Sequence, residues 1–308
     1  MTWQFDEFAE PPKILYDFVG AGGLAYDLVL SVDRLPLADE KNPAELVGKL
    51  PGGSIANATC AAARLGLRTA YIGWVGQDSE GDLLREDLLQ WKINAAGLEC
   101  VSGEPTPFTI VVTDQRGRRA ILLPPFPLYK ALLSYDQMQV AVQSRVIYTF
   151  PRDLVWCGQL RGAAVEGGGL FVLDLEQSIP MRGEHLFNAV QMADIVFVTR
   201  KSLNVLGVRS ITRLVDRRQW VIMTAGSRGA YGIAYGQRKP VFQPARDVPA
   251  VDSNGAGDCF HAALIAARLD GATLSEALAF ATAAASIKVQ HRGARGGLPT
   301  RAEVEALL

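Results

Sequence analysis

Apolar residues along the chain fall into short runs separated by glycine, proline and charged positions, and the spacing within the runs alternates between strand and helix periods. Leu15–Gly20 is a strand-like run closing on Ala21-Gly22-Gly23. The stretch 33–51, with Pro36, Pro43 and Pro51 between small apolar pieces, predicts loops and short strands. Ala58–Leu65 predicts a helix stopped at Gly66, Thr69–Trp74 a strand, Gly76–Gly81 a loop, and Asp82–Asn94 an amphipathic helix with Leu83, Leu84, Leu88 and Trp91 inward. Phe108–Leu123 differs, because two apolar runs flank Asp114-Gln-Arg-Gly117 at hairpin spacing and predict an antiparallel ribbon in a second, smaller sheet. After Pro124-Pro-Phe-Pro127 the strand and helix rhythm resumes, with strands at Val146–Phe150, Leu170–Leu173 and Ile195–Val198 and intervening helices without strong cap signals. Val221–Gly232 predicts strand, loop and strand. Cys259–Leu269 and Leu274–Gln290 predict apolar helices, the second capped by Thr273, and Thr300 with Glu303 has the spacing of a capping box. The alternation predicts an α/β fold around a mostly parallel sheet.

Composition narrows the partners. With 308 residues, 49% apolar and 20% charged, the chain can bury the core of one large domain, and residues 1–308 are read as one. A net charge of −1 from 31 basic and 32 acidic residues leaves no electrostatic footprint for nucleic acid or an anionic membrane, so a small-molecule partner is expected. Cys60, Cys100, Cys157 and Cys259 lack the paired spacing of a zinc site and the density of a disulfide scaffold. Together with an acidic Met1–Pro12 segment that lacks an apolar signal core, they point to a reduced, cytoplasmic protein.

The candidate chemistry centres on Val251-Asp-Ser-Asn-Gly-Ala-Gly-Asp-Cys-Phe260. Small residues let backbone N–H groups approach an anion, a helix N-terminus adds further N–H groups and a favourable dipole, and Asp258 can take a proton. A plain turn with Asp258 as an N-cap explains the same residues. Asp27, just past the first strand, and Asn57, in the first turn after Gly52-Gly53, can bind hydroxyl groups, though each also reads as a turn or cap residue. Thr224-Ala-Gly226-Ser-Arg-Gly229 lies at a strand's carboxyl end, where open α/β sheets hold ligands, or is a hairpin loop. Arg116, Arg118 and Arg119 read as solvated charges of the ribbon, with one able to reach an anionic substrate. Gly20-Ala-Gly-Gly23 lacks dinucleotide-loop spacing, and the chain contains no G-x-x-x-x-G-K-[ST] loop and no G-x-S-x-G elbow. His261, one turn beyond Asp258, is given no catalytic role.

Gly52-Gly53 with Asn57, Thr224 to Gly229, and Asp252 to Asp258, in this order and separation, resemble the ribokinase-like (PfkB) carbohydrate kinase family from about Val19 to Leu308. The resemblance implies a three-layer sandwich, a central mostly parallel sheet flanked by helices, plus a small β-sheet lid at 33–50 and 108–123. It implies a kinase that moves the γ-phosphate of ATP to a hydroxyl, preferably primary, of a sugar or sugar-like molecule. Asp258 is then the general base and Gly255, Ala256 and Gly257 bind the transferring phosphate. Asp27, Gly52, Gly53 and Asn57 face the acceptor, and Thr224, Gly226, Gly229, Asp252 and Thr282 lie on the nucleotide side. ATP, Mg2+ and a monovalent cation are the implied cofactors, and an exposed apolar face on the lid sheet would make a homodimer through it the expected assembly. The sequence departs from the family where many members carry Asn-x-x-Glu, since it has Thr199-Arg-Lys-Ser202. Arg200 and Lys201 can offset phosphate charge there, and Asp174 and Glu176 are substitute metal carboxylates. A nucleoside or sugar-acid kinase and a catalytically weak sugar or nucleotide sensor are the alternatives.

Overall fold

The computed structural model describes residues 12–125, 132–175, 181–216 and 219–308. The first half contains strands β1 (Phe18–Ala21), β2 (Ala25–Val32), β3 (Glu45–Gly52), β4 (Thr69–Gly76), β5 (Asn94–Val101), β6 (Phe108–Asp114) and β7 (Arg119–Leu122). Helices α1 (Ser54–Arg64) and α2 (Ser79–Gln90) lie among them. The second half alternates α3 (Tyr135–Val142), β8 (Val146–Thr149), α4 (Leu154–Glu166), β9 (Leu170–Asp174), α5 (Gly183–Met192), β10 (Ile195–Val198), α6 (Arg200–Val205) and β11 (Trp220–Thr224). It closes with β12 (Gly229–Ala234), β13 (Val241–Pro244), α7 (Ala256–Leu269), α8 (Leu274–Lys288) and α9 (Arg301–Glu305).

Nine strands form the central sheet in the order β13-β12-β11-β10-β9-β8-β1-β4-β5. All neighbouring pairs are parallel except the antiparallel β11–β12 and β12–β13 pairs. The short parallel strands read as continuous apolar runs because both faces are covered. Phe18, Tyr148 and Phe197 enter the core shared with α1, α7 and α8, whereas Val19, Ile147 and Val196 enter the core shared with α3, α4 and α5. Alanine-rich α1, α7 and α8 bury most of their length, so small side chains let these helices approach closely around the site described below.

The second sheet has four strands in the order β3-β2-β6-β7, with β2–β6 parallel and the outer pairs antiparallel. The hairpin β6–β7 turns at Asp114–Gly117 as the spacing predicts. Strand β2 is a correction to the sequence reading: Asp27 sits inside it, as its third residue, and not in a loop beyond a strand. The Gly22-Gly23 pair hides it, since the chain needs only Gly22, Gly23 and Leu24 to pass from one sheet to the other. Helix α2 starts at Ser79, capped by Asp78 accepting from the Gly81 N–H, and Leu83 is partly exposed while Leu84 and Leu88 are buried. The intervening helices also have stronger caps than expected: Ser134 closes a capping box on α3 and Asp153 caps α4.

Candidate active site

The predicted acceptor residues come together where the two sheets meet. β3 ends at Gly52 and α1 begins after Gly53, whose φ of +93° suits glycine at the N-cap. A Cβ on Gly52 would lie 2.8 Å from Asp27 Oδ2, so the absent side chain is what lets that carboxylate rest against the β3 end. Asp27 stands opposite Thr109 in the β2–β6 register, and the Thr109 hydroxyl donates to Asp27 Oδ1. Burial raises the Asp27 pKa above the ordinary carboxylate range, while the Thr109 hydrogen bond and the charges of Arg295 and Arg119 pull it back.

Asn57, buried in the first turns of α1, has both ends of its amide assigned by charged partners. Arg295 Nε donates to Asn57 Oδ1 at 2.9 Å, so the amide nitrogen faces the other way and donates to Asp258 Oδ2 at 3.0 Å. Arg295 is held in turn by an ion pair with Asp87 on α2, and its Nη2 donates to the Gly52 carbonyl at 3.4 Å. One guanidinium therefore ties the Gly52-Gly53 turn, α2 and the amide that touches Asp258.

Gly255, at φ +75°, is the N-cap of α7, and a Cβ there would lie 2.0 Å from the Ala294 carbonyl oxygen. Asp258 is consequently the third residue of the helix and not its N-cap, which removes the N-cap explanation of its carboxylate. The loop before it is pinned from behind. Asp252 Oδ1 accepts from the Asn254 N–H and Oδ2 from the Gly293 N–H, each at 2.9 Å. Burial raises the Asp252 pKa, but these two hydrogen bonds, with the charges of Arg119 and Lys288, outweigh it and leave the group below the usual carboxylate range. Cys259, next to Asp258, is pushed up to about 12 by burial and is an inert thiol.

Thr224 closes β11, and a single 3-10 turn, Gly226–Arg228, leads into β12. Thr224, Ala225, Gly226 and Arg228 line a cavity of about 390 Å³ together with Thr199, Arg200 and Lys201. Thr199 and Ser202 cap α6 reciprocally, Ser202 N–H donating to Thr199 Oγ1 and Thr199 N–H to Ser202 Oγ. Their side chains thus serve the helix end, while the two basic residues between them face the cavity. Thr282 is buried on α8 with no hydrogen-bond partner for its hydroxyl among the described residues. Asp174 does not join this group: it is buried and accepts from the Tyr148 hydroxyl at 2.8 Å, which also lies 2.9 Å from His261 Nδ1. Glu176 lies outside the described residues. Arg295 and Thr109 escape a reading of the sequence because their partners are 238 and 82 residues away, and Lys288 because its side-chain partner is a backbone carbonyl, which no residue type marks. Arg119 stands out in the sequence only as one of three ribbon charges.

Residues 17–301 match the description pfkB family carbohydrate kinase. The chain belongs to that family. Ribokinase of Bacillus subtilis (strain 168) is 27% identical over 295 residues, covering 93% of this chain and 97% of that protein. Fructokinase-1 of Zea mays is 30% identical over 318 residues, covering 94% and 97%. The structure of Arabidopsis thaliana ribokinase complexed with ribose and ATP superposes with a TM-score of 0.83 at 25% identity, covering 96% of this chain and 99% of the other. The pfkB assignment agrees with the resemblance drawn from the three sequence motifs, and the nine-strand sheet with its separate four-strand sheet has the architecture expected of it. Among the described residues no helix is long and apolar enough to cross a membrane.

Proposed function

We propose that this pfkB-family protein transfers the γ-phosphate of ATP to a hydroxyl of a sugar or sugar-like molecule, with a primary hydroxyl preferred. The observation that carries this reading is the Asn57 Nδ2 to Asp258 Oδ2 hydrogen bond, because it joins the acceptor motif to the phosphate-loop motif in one place. Asp27 and Asn57 hold acceptor hydroxyls against Gly52 and Gly53. Asp258 withdraws the proton of the attacking hydroxyl. The backbone at Gly255, Ala256 and Gly257 and the start of α7 meet the charge that develops on the transferring phosphate. Thr224, Gly226, Gly229, Asp252 and Thr282 border the nucleotide, and Arg200, Lys201 and Arg228 offset phosphate charge along the cavity. The small sheet carrying Asp27 closes over the acceptor and excludes water, and the exposed apolar side chains Leu46, Val47, Leu50, Ile121 and Leu122 on its strands support pairing of two copies.

We assign magnesium to the nucleotide phosphates, which would carry it into the site. Among the described residues no three acidic, histidine or cysteine side chains converge, and Asp174 is engaged by Tyr148. When bound, the ion supplies further neutralisation of phosphate charge.

A panel of sugars, nucleosides and sugar acids, scored by ATP consumption, tests the reading. Turnover with a sugar supports it, and turnover confined to a nucleoside or sugar acid replaces the acceptor class. Ligand-induced thermal stabilisation without turnover makes the protein a sensor.

Two variants probe the acceptor side. Arg295→Ala leaves Asn57 free to turn and Asp87 without its cation, and is expected to raise the acceptor KM by about tenfold with a smaller change in kcat. Steady-state kinetics check this, and an unchanged KM removes Arg295 from the positioning of Asn57. Asp27→Asn removes a charge that burial disfavours. A carboxyl whose pKa is raised on folding stabilises the fold at acid pH, and that contribution is lost as pH rises through its folded value. At neutral pH the neutral amide is therefore expected to raise the melting temperature by about 1–3 °C while acceptor binding is lost. A melting temperature that falls at neutral pH contradicts this.

A further inference from the structure

Lys288, the last residue of α8, is fully buried, an uncommon place for an ammonium group. Its Nζ donates to the His291 carbonyl at 3.2 Å. The chain that follows is the segment that backs the phosphate loop. The Val289 carbonyl accepts from the Val251 and Asp252 N–H groups, at 2.8 and 3.0 Å, and the Gly293 N–H donates to Asp252 Oδ2. The Ala294 carbonyl occupies the space that a side chain on Gly255 would need. Burial pushes the Lys288 pKa below the usual lysine range, and the nearby Asp252, Cys259 and Asp258 pull it back up. A buried ammonium needs nearby negative charge to offset its desolvation, and here Asp252 and Asp258, at the two ends of the loop proposed to bind the transferring phosphate, supply it through space.

We propose that Lys288 is the resident cation of the phosphate loop: a positioning residue that holds the 289–294 segment and the Asp252 carboxylate in place behind Gly255, so that turnover requires no monovalent metal ion. A potassium ion would seek backbone carbonyls and nearby negative charge; the ammonium already takes the His291 carbonyl and sits in the field of Asp252 and Asp258, and the two cations are similar in size and charge. The residues therefore do not fit the monovalent cofactor that the family resemblance implies. This inference rests on the kinase reading, and the two fail differently: absence of turnover with every acceptor counts against the reading, whereas turnover that needs potassium counts only against Lys288.

The test begins with the wild-type protein in potassium, sodium or choline chloride at equal ionic strength, where turnover is expected to vary by less than about twofold. Lys288→Met, which keeps the stem and removes the charge, is expected to lower kcat by at least about tenfold and to reduce the thermal stabilisation produced by ADP. Lys288→Ala, which also vacates the space, is expected to regain activity with added ammonium or methylammonium, while Lys288→Met does not. A merely structural lysine would give the two variants the same response. Several-fold stimulation of the wild-type protein by potassium overturns the proposal, and so does a folded Lys288→Met with full turnover or an equal amine response in both variants. If neither variant folds, the wild-type salt series decides alone.

Discussion

Asp258→Asn is expected to keep the fold and nucleotide binding and to lose about 10²–10⁴-fold in turnover. The exchange is nearly isosteric, and an amide oxygen can still accept from Asn57 Nδ2, so the contact between the acceptor motif and α7 survives. What disappears is the lone pair that takes the hydroxyl proton. Position matters as much as chemistry: Asp258 is the third residue of α7, after the Gly255 N-cap, and it is tied to the Asn57 amide that follows the Gly52-Gly53 turn. The check is kcat with the best acceptor from the panel alongside the ADP-induced shift in melting temperature. Near-normal turnover removes Asp258 as the base, and a lost ADP shift makes the defect one of the loop.

Gly255→Ala is expected to be among the most damaging single-carbon changes at the described residues. The residue sits at φ +75° and its new Cβ would meet the Ala294 carbonyl oxygen at 2.0 Å, a contact with backbone that no rotamer relieves. Backbone strain and overpacking together cost about 2–5 kcal/mol, enough to lower the melting temperature by several degrees. The loop must move away from the 289–294 segment, which displaces the N–H groups proposed to meet the phosphate, and loss of one such donor typically costs about 10²–10³ in kcat. Gly236→Ala is the control, since that residue has a similar φ of +86° and a Cβ added there would meet nothing within 4 Å. Equal effects of the two substitutions on kcat would show that strain alone, and not the packing behind Gly255, controls the loop.

Much of the fold is legible in the sequence because its signals are local. Buried parallel strands such as Ile195–Val198 read as short apolar runs, and the boxes Thr273/Glu276 and Thr300/Glu303 mark helix starts three residues apart. β5 is hidden because Asn94 reads as the end of the preceding helix, and β2 because two glycines and a proline-containing stretch bracket it. Asp27 is conspicuous for its chemistry, which says nothing of the element that carries it. Its carboxylate stands on a strand of the small sheet, where pairing with β6 brings Thr109 beside it.

By itself the sequence determined most of the elements, though not β2 and β5, together with their alternation and the small-residue motifs at Gly52-Gly53, Thr224–Gly229 and Gly255–Gly257, since these depend on backbone geometry and on periods of two to four residues. Tertiary structure alone decided which charges meet. Asn57 reaches Asp258 across 201 positions, and Arg295 reaches Asn57 across 238. Hydrogen bonds and buried charges act over a few ångströms of space regardless of separation along the chain, so the groups that orient Asn57 and back Gly255 become visible only once α1, α7 and α8 have packed together.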